Sequence, residues 1–380
     1  MNNQSTAIDR YSQKYVAGAG NQAQVMQYAN AGPAQYPGQS NTYVKDHAAS
    51  NYLITQFSRN VKDFPLTKYI QYQDVNKDTG YYLRLNVEQA GRLKGGKLDK
   101  YYWPDGADRP RPHDETEKFN WVDFRCHRYD FPFQLGWKSR DQAGFDLQDV
   151  ELANKAQQSM TGRTLRVHNV LGNNALWDSG HVEDVVTIPG NAGRWDQSTT
   201  TRSDIKRSIN RAVRRILLDT LSVVKKKSDM RLVMNPDTAQ KIGESQEMIQ
   251  AFIQSRFAMG QFTGEESSYD DYGLPKKLYG IEVVVEDTVM VTSAREAATV
   301  TREFVCADSC AYLLSRPGGL VSKIANGQAN FSSIVGMMYE DMTTETLDDT
   351  NNRRTEGHIV DDTAEEFTAP VSAFKFENVV

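Results

Sequence analysis

Cysteine, long apolar runs and signal-peptide features are scarce or missing in this sequence. Its three cysteines cannot all pair with one another, and a chain of 380 residues does not need disulfides for stability. No apolar run reaches the about eighteen residues of a membrane-spanning helix, and MNNQSTAIDRYSQKY has neither a basic nor an apolar signal region. We therefore expect a protein of the reducing cytosol with no membrane contact.

The sequence also lacks an excess of positive charge. Its formal net charge is -5, which excludes the global basic bias of many nucleic-acid-binding proteins, so any such contact would have to be local. The hydrophobic fraction of 39% and the mean hydropathy of -0.61 are typical of a soluble globular protein. At this length we expect more than one lobe, or one lobe with extensions.

Signatures of catalysis are missing as well. There is no G-x-S-x-G motif, and the six histidines form no recognisable triad pattern. The glycines of AGAG at 17–20 lack the strand, the helix and the lysine of a phosphate-binding loop. We therefore predict no catalytic residues, no cofactor and no enzymatic activity.

Two groups of residues could suggest a metal site. Cys306 and Cys310 lack a second ligand pair, so we interpret them as cysteines packed beside a strand. His113, Asp114 and Glu115 are adjacent, and on an extended backbone their side chains would point to opposite faces. That arrangement favours a polar loop tip, and we predict no metal site.

The first part of the chain, residues 1–62, has the composition of an arm. It is rich in Asn, Gln, Ala, Gly and Ser, and the first glutamate of the chain is Glu88. A segment with so few core-forming residues cannot offset its own ordering entropy. We expect it to be either disordered or laid against another surface.

A β arm is predicted over residues 63–137. The strand patterns of Thr67–Val75 and Tyr81–Glu88 predict a hairpin, and the alternation in Phe119–Phe131 predicts a strand that pairs with them. Between them, residues 91–118 form a long polar excursion, which in a compact domain usually has a function. Because isolated hairpins are only marginally stable, the apolar face of this arm needs a partner.

Two helices follow the arm. Apolar spacing predicts one helix from Asp146 to about Leu171 and a second from Ser203, a possible N-cap, to about Lys227. The basic outer face of the second helix is interpreted as solvated, or as paired with the acidic segment Glu340–Glu366. Contact with nucleic acid is the less favoured alternative for this face.

The segment RLVMNPDTAQKI predicts a strand, a turn and a helix. Asn235 suits the N-cap, Pro236 the first helical position and Asp237 the first turn. No catalytic partner is in view, so we interpret the motif as architectural. A further strand is predicted in LYGIEVVVEDTV, and REFVCADSCAYLLSRPGG predicts a strand, a turn and then a strand or a short helix, so this region reads as a compact alternating α/β lobe. The closing FTAPVSAFKFENVV predicts an alternating strand.

In this order, the parts resemble a tailed-bacteriophage major capsid protein of the Hong Kong ninety-seven fold. The most specific likeness is to the axial domain of that family, in GRWDQSTTTRSDIKRSINRAVRRILLDT, LVMNPDTAQKI, LYGIEVVVEDTV and FVCADSCAYLL. The resemblance implies an α+β fold in five parts. They are an N-terminal arm (1–62), an extended β-hairpin loop (63–137), a peripheral domain with a spine helix (138–200), an α/β axial domain (201–340) and return strands of the peripheral domain (341–380).

The resemblance further implies a structural protein of the virion, assembled in the host cytoplasm. Copies of the chain would form hexamers and pentamers of an icosahedral shell around double-stranded DNA, which they would contact without sequence specificity. Scaffolding, portal and decoration proteins are the other implied partners. The lysine that some family members crosslink to an asparagine cannot be assigned among Lys94, Lys97 and Lys100, so crosslinking is left open.

The polar excursion supplies our candidates for contacts between subunits. Because aromatic residues and arginine dominate interface hot spots, they are Tyr101, Tyr102, Trp103, Arg109 and Arg111. Other functions stay open at this point. They are a bacterial nanocompartment (encapsulin-like) shell of the same fold, a cytosolic α/β enzyme with a β lid, and a nucleic-acid-binding protein that uses the basic helix.

Overall fold

A computed structural model describes residues 58–84, 105, 120–143, 146–191, 193–199, 201, 203–224, 226–254, 272–294, 299–316 and 332–380. Most of the predicted N-terminal arm, residues 1–62, lies outside these residues. The polar excursion at 91–118 also lies outside them, apart from Asp105. The helices are α1 Leu66–Tyr69, α2 Trp137–Gln142, α3 Leu147–Gly172, α4 Asp204–Asp219, α5 Pro236–Gly243 and α6 Gln246–Gln254. The strands are β1 Gln71–Asp74, β2 Thr79–Arg84, β3 Asn120–Arg125, β4 His127–Gly136, β5 Val182–Asp184, β6 Met230–Met234, β7 Lys277–Leu278, β8 Ile281–Val285, β9 Val289–Val291, β10 Arg302–Phe304, β11 Ala311–Ser315, β12 Val335–Asp349, β13 Arg354–Glu366 and β14 Phe374–Glu377.

The described residues form two compact units. The smaller unit contains residues 58–60, 130–143, 146–158 and 343–360, and the larger contains the other described residues. Helix α3 and strands β4, β12 and β13 each continue from one unit into the other. The five-part division derived from the resemblance stays a prediction.

A six-stranded mixed sheet forms the centre of the larger unit, in the order β5-β14-β11-β6-β8-β7. Strands β6 and β8 are parallel, and β11 runs antiparallel to β6. These three strands are apolar on both faces because both faces are covered. Leu232 and Val283 join one hydrophobic cluster with α4, whereas Val233 and Val284 join a second cluster with α3.

The strand-turn-helix predicted at the Asn-Pro motif is confirmed. Asn235 Oδ1 accepts a hydrogen bond from the Asp237 backbone N–H at 2.7 Å, which caps α5. Its amide nitrogen donates to the Cys306 carbonyl oxygen at 2.9 Å and to Asp308 Oδ1 at 2.7 Å. The same side chain thus starts a helix and ties the loop before β11 to the sheet.

The two long predicted helices are present, but the second is shorter than predicted. Helix α3 runs from Leu147 to Gly172, as the periodicity indicated. Helix α4 ends at Asp219 instead of near Lys227, because Leu221 and Ser222 both adopt left-handed backbone angles that end the helix.

Ser203 occupies the N-cap position of α4, as predicted, but its side chain does not cap the helix. The residue has a left-handed backbone. Instead, Ser198 Oγ accepts from the Asp204 N–H at 3.0 Å, and Glu247 Oε2 accepts from the Ile205 N–H at 3.2 Å. The first turn is therefore capped by side chains from outside the helix, which no local pattern could indicate.

The predicted hairpin between Thr67–Val75 and Tyr81–Glu88 was also wrong. Strand β1 pairs in parallel with β12, and β2 pairs with β3 in an antiparallel ribbon. Tyr72 lies opposite Gly336 in the β1–β12 register, and a Cβ atom on that glycine would lie 2.2 Å from the Tyr72 ring. The ring thus occupies the space that glycine leaves, which fixes β1 on β12.

The acidic segment Glu340–Glu366 consists mainly of β12 and β13, which belong to a four-stranded sheet in the order β1-β12-β13-β4. In the larger unit its carboxylates pair with Arg163 and Arg166 of α3, and not with α4. The basic side chains of α4 have other partners, such as Glu183 for Arg211. Among the described residues, the predicted pairing of α4 with this segment is therefore wrong.

The smaller unit has a polar cluster near the turn between β12 and β13. Arg140 of α2 donates to Thr355 at 2.8 Å, and Thr355 donates to Asp348 at 2.6 Å. The Arg354 guanidinium lies 3.2 Å from Asp349 and 2.6 Å from Glu356. These contacts hold the two strand ends together.

Candidate assembly surface

The β2–β3 ribbon packs one of its faces on the larger unit. In its register, Tyr82 lies opposite Val122 and Gly80 opposite Phe124. Tyr82 and Phe124 are partly buried against a small cluster that contains Cys126, Val335, Met337 and Ala364. This face supplies the hydrophobic contact that holds the ribbon.

The opposite face of the ribbon carries two uncovered aromatic side chains. Tyr81 is 72% exposed and Trp121 is 62% exposed. Because Tyr81 lies opposite Asp123 and Trp121 opposite Leu83, the two rings lie on the same face as diagonal neighbours. Neighbouring exposed rings of this size are typical of a surface that binds a partner.

A second exposed apolar strip lies on the antiparallel β9–β10 ribbon. Val289 and Val291 point to the same side of β9 and are both exposed. Val300, just before β10, is exposed as well. This strip has no aromatic residue, so it offers less area for a contact than the β2–β3 ribbon.

The five contact candidates chosen from the sequence, Tyr101, Tyr102, Trp103, Arg109 and Arg111, all lie outside the described residues. They belong to the segment that connects β2 to β3 in the sequence, and their role stays a prediction. Sequence reasoning overlooked Tyr81 and Trp121. The alternation in NWVDFR already put Trp121 on the polar face with Asp123, where a large aromatic side chain is unusual.

A buried charge network joins α3 to β13 in the larger unit. Asp361 is fully buried and accepts hydrogen bonds from Arg163 Nη2 at 2.5 Å and Arg166 Nη2 at 3.1 Å. Arg163 also bonds to Asp341 at 2.8 Å, and Arg166 Nε donates to Glu365 at 2.9 Å. Burial opposes the charge of Arg163, but the hydrogen bonds and charge of Asp361 outweigh it, so the pKa of Arg163 is raised. The network fixes structure, since its groups are committed to one another.

A histidine, a tyrosine and a glutamate lie together in the core, as they could in an enzyme. The Tyr69 hydroxyl donates to Glu286 Oε2 at 2.7 Å and lies 3.1 Å from His168 Nε2. Burial lowers the pKa of His168 to about 4, so the ring is neutral and donates to the hydroxyl through Nε2. All three side chains are buried, and no substrate could reach them without unfolding of the core. This cluster is therefore structural.

The three cysteines have no features of reactive thiols. Burial raises the pKa of Cys126 to about 11, and it also raises the pKa of Cys306 and of Cys310. They stay protonated near neutral pH, whereas the thiolate is the nucleophile and the metal ligand. Cys306 is buried in the core and Cys310 is packed against it, as predicted for cysteines beside a strand. In the described part of the chain, no group of three or more His, Cys, Asp or Glu side chains is arranged to hold a metal ion.

None of the helices among the described ranges combines the length and the hydropathy that crossing a bilayer requires.

Comparison with known proteins identifies the fold. Neither a protein-family model nor a curated protein matches the sequence. The structure aligns with a phage-related protein from Bordetella bronchiseptica RB50 over 88% of this chain and 96% of that chain, at a TM-score of 0.51 and 11% identity. It aligns with the capsid of a native gene transfer agent particle over 86% and 93%, at a TM-score of 0.51 and 10% identity. The SrpI encapsulin of Synechococcus elongatus PCC 7942 aligns over 88% and 95%, at 0.48 and 8%.

The alignments with a TM-score above 0.5 show a shared fold, since each covers most of both chains. The chain therefore has the α+β fold of phage capsid proteins of the Hong Kong ninety-seven type, and the resemblance noted in the sequence is confirmed at the level of the fold.

Proposed function

We propose that this chain is a structural shell subunit, a major capsid protein that self-assembles into an icosahedral container for double-stranded DNA. The observation that carries the proposal is the capsid fold combined with the uncovered Tyr81–Trp121 face of the β2–β3 ribbon. A folded chain that leaves two large rings in water lowers its free energy when another surface covers them.

Copies of the same chain are the partners that we propose for this surface. Interfaces of ordinary size, about 1,600 Å² each, would hold a shell together without covalent bonds when repeated around it. Hexamers and pentamers, the virion location, assembly in the host cytoplasm and the scaffolding, portal and decoration partners belong to the same proposal. On this reading the chain has a structural role and not a catalytic one.

The experiment is expression of the chain alone, followed by light scattering after size-exclusion chromatography. We expect wild type to elute as large assemblies and the double variant Tyr81→Ser/Trp121→Ser to shift to small oligomers, because each hot-spot aromatic is worth about 2 kcal/mol or more per contact. Leu347→Ser is the matched control, since Leu347 is 66% exposed on a strand but lies outside the ribbon. Equal assembly of the double variant and the control would contradict the role of the ribbon.

A nanocompartment shell is the alternative function with the same fold. Neighbouring portal and terminase genes favour the capsid, whereas a neighbouring gene for a cargo enzyme favours the nanocompartment. Either outcome keeps the shell role and changes only the proposed contents.

A further inference from the structure

We propose that Arg231 and Arg316 form a phosphate-binding pair on the central sheet, where they contact the backbone of DNA. The inference rests on the proposed function, in which the enclosed DNA supplies the phosphates. Arg231 is the second residue of β6, and Arg316 directly follows β11. Leu314 lies opposite Arg231, and the Arg316 backbone N–H continues this ladder by donating to the Asp229 carbonyl oxygen at 2.7 Å. The two arginine side chains therefore lie on one face of the sheet as diagonal neighbours.

The Arg231 guanidinium is held in place but keeps donors for a ligand. Its Nε lies 3.1 Å from Glu282 Oε2, and its Nη1 donates to the carbonyl oxygens of Ser228 at 2.6 Å and Met230 at 3.0 Å. Among the described residues, no acceptor is bonded to its Nη2, which carries further N–H groups. A guanidinium fixed in this way loses little side-chain entropy when it binds an anion.

Arg316 is a half-buried cation, and no carboxylate in the described part of the chain is bonded to its side chain. Burial and the charge of Arg231 lower the pKa of Arg316, and the charge of Glu282 offsets them only in part. Residues 317–331, which follow Arg316 in the sequence, contain no aspartate or glutamate. An anion that bridged the two arginines would reduce their mutual repulsion and give Arg316 a partner.

The charges beside the pair favour a phosphate backbone over a single carboxylate. Glu282 of β8 lies opposite Arg231, and Lys277 of β7 lies opposite Glu282, so the exposed Lys277 is on the same face. From β11 to β7 this row of charges crosses three strand spacings, about 14 Å. Each strand of duplex DNA has a phosphate about every 3.4 Å along the helix axis, so one backbone can contact both ends of the row. A lone carboxylate can contact only one end.

The basic face of α4 is the alternative site for a contact with DNA, but several of its arginines are already neutralised. Arg211 lies 2.8 Å from Glu183, and Arg215 lies 2.6 Å from Asp219. Arg214 is an exposed arginine of the same helix face. Its substitution therefore tests the α4 alternative and serves as the matched control.

Fluorescence anisotropy of a labelled duplex DNA tests the pair, with the unassembled chain isolated by size-exclusion chromatography. Arg316→Gln should weaken binding about tenfold at about 50 mM salt, and the slope of log K against log salt should become shallower by about one. Arg214→Gln removes the same charge from α4 and should leave the affinity unchanged. Two duplexes of unrelated sequence should bind equally, because a backbone contact carries no sequence information.

Thermal unfolding separates loss of the site from loss of the fold. Arg316→Gln should unfold at the temperature of wild type or above it, because the substitution removes a half-buried cation beside Arg231. Arg316→Lys keeps the charge but not the planar fork, so its affinity for DNA should lie between those of Arg316→Gln and wild type. An affinity of Arg316→Lys as low as that of Arg316→Gln would contradict the electrostatic role of this position.

Three further results would overturn the proposal. They are a wild-type chain that does not bind DNA, equal weakening by Arg316→Gln and Arg214→Gln, and competition by orthophosphate or polyglutamate as strong as that of the duplex at equal charge. Light scattering scores shell assembly separately. Shells built from chains that do not bind DNA would refute the phosphate pair and keep the shell role, whereas a chain that binds DNA but never assembles would do the reverse.

Discussion

The Asn substitution of Asp361 is the sharpest test of how α3 is held on β13. Asp361→Asn keeps the size of the side chain but removes its charge, and its new amide group would face guanidinium donors. Asp361 accepts from Arg163 Nε at 3.1 Å, Arg163 Nη2 at 2.5 Å and Arg166 Nη2 at 3.1 Å. Breaking a buried ion pair by removing one partner typically costs about 3–5 kcal/mol.

The structure sets the value for this site near the lower end of that range. Arg163 keeps Asp341 and Arg166 keeps Glu365, so neither guanidinium is left without a carboxylate. We therefore expect a loss of about 3 kcal/mol in the free energy of unfolding, seen as a fall of about 4–5 °C in the apparent Tm. Thermal and urea denaturation, followed by circular dichroism, would measure it.

Asp341→Asn is the matched control for this prediction. Asp341 contacts the same arginine, but its side chain is 55% exposed, so the solvent-screened pair should contribute no more than about 1 kcal/mol. The reasoning would be refuted if the free energy of unfolding of Asp361→Asn lay within about 0.5 kcal/mol of that of wild type. It would also be refuted if the two variants lost the same free energy of unfolding.

Three further predictions follow from other parts of the larger unit. Because the pKa of His168 is lowered by burial to about 4, below that of the unfolded chain, stability should fall with acidification from about pH 6.5 toward 4. The loss should reach about 2 kcal/mol at about pH 5, and the free energy of unfolding of His168→Gln should depend less on pH in this window. Equal pH dependence of the two proteins in calorimetry would contradict this role of His168. Asn235→Ala should cost about 2 kcal/mol in urea unfolding, since it removes a helix cap and two buried donor contacts. A loss of stability as small as that of a typical surface substitution would contradict this role of Asn235. Gly336→Ala should destabilise the protein by about 1–3 kcal/mol, because the added Cβ clashes with the Tyr72 ring. In the double variant, Tyr72→Ala should relieve this clash, so the two losses should not add. Additive losses would contradict the clash.

Local patterns were sufficient where a structure depends on local interactions. The spacing of apolar residues predicted α3, and the order Asn, Pro, Asp predicted the start of α5 at Asn235. Both features are determined by neighbours within a few residues in the sequence.

Pairings between distant segments could not be predicted in the same way. Strand β1 does not pair with β2, its expected hairpin partner. It pairs with β12, which lies more than two hundred residues further along the chain. Nothing in Thr67–Val75 alone indicates this, although the isolated glycine at 336 is a signal of close approach. The cap of α4 by Ser198 and Glu247 is non-local for the same reason.

The acidic stretch shows why charge alone is a poor guide to structure. Composition between Glu340 and Glu366 suggested a partner for the basic helix, yet the segment forms two long strands. Its buried Asp361 is neutralised by Arg163 and Arg166, which α3 places on the sheet. At the candidate assembly surface, the strand alternation alone places Trp121 on the polar face of β3. Only the fold shows that its ring is exposed there.

The central claim is that copies of this chain close into a shell. Negative-stain electron microscopy of the purified wild-type protein, expressed without any partner protein, tests it most directly. The account predicts closed, hollow particles of uniform diameter. A homogeneous monomer at every protein concentration, with the Tyr81 and Trp121 rings still exposed to solvent, would contradict it.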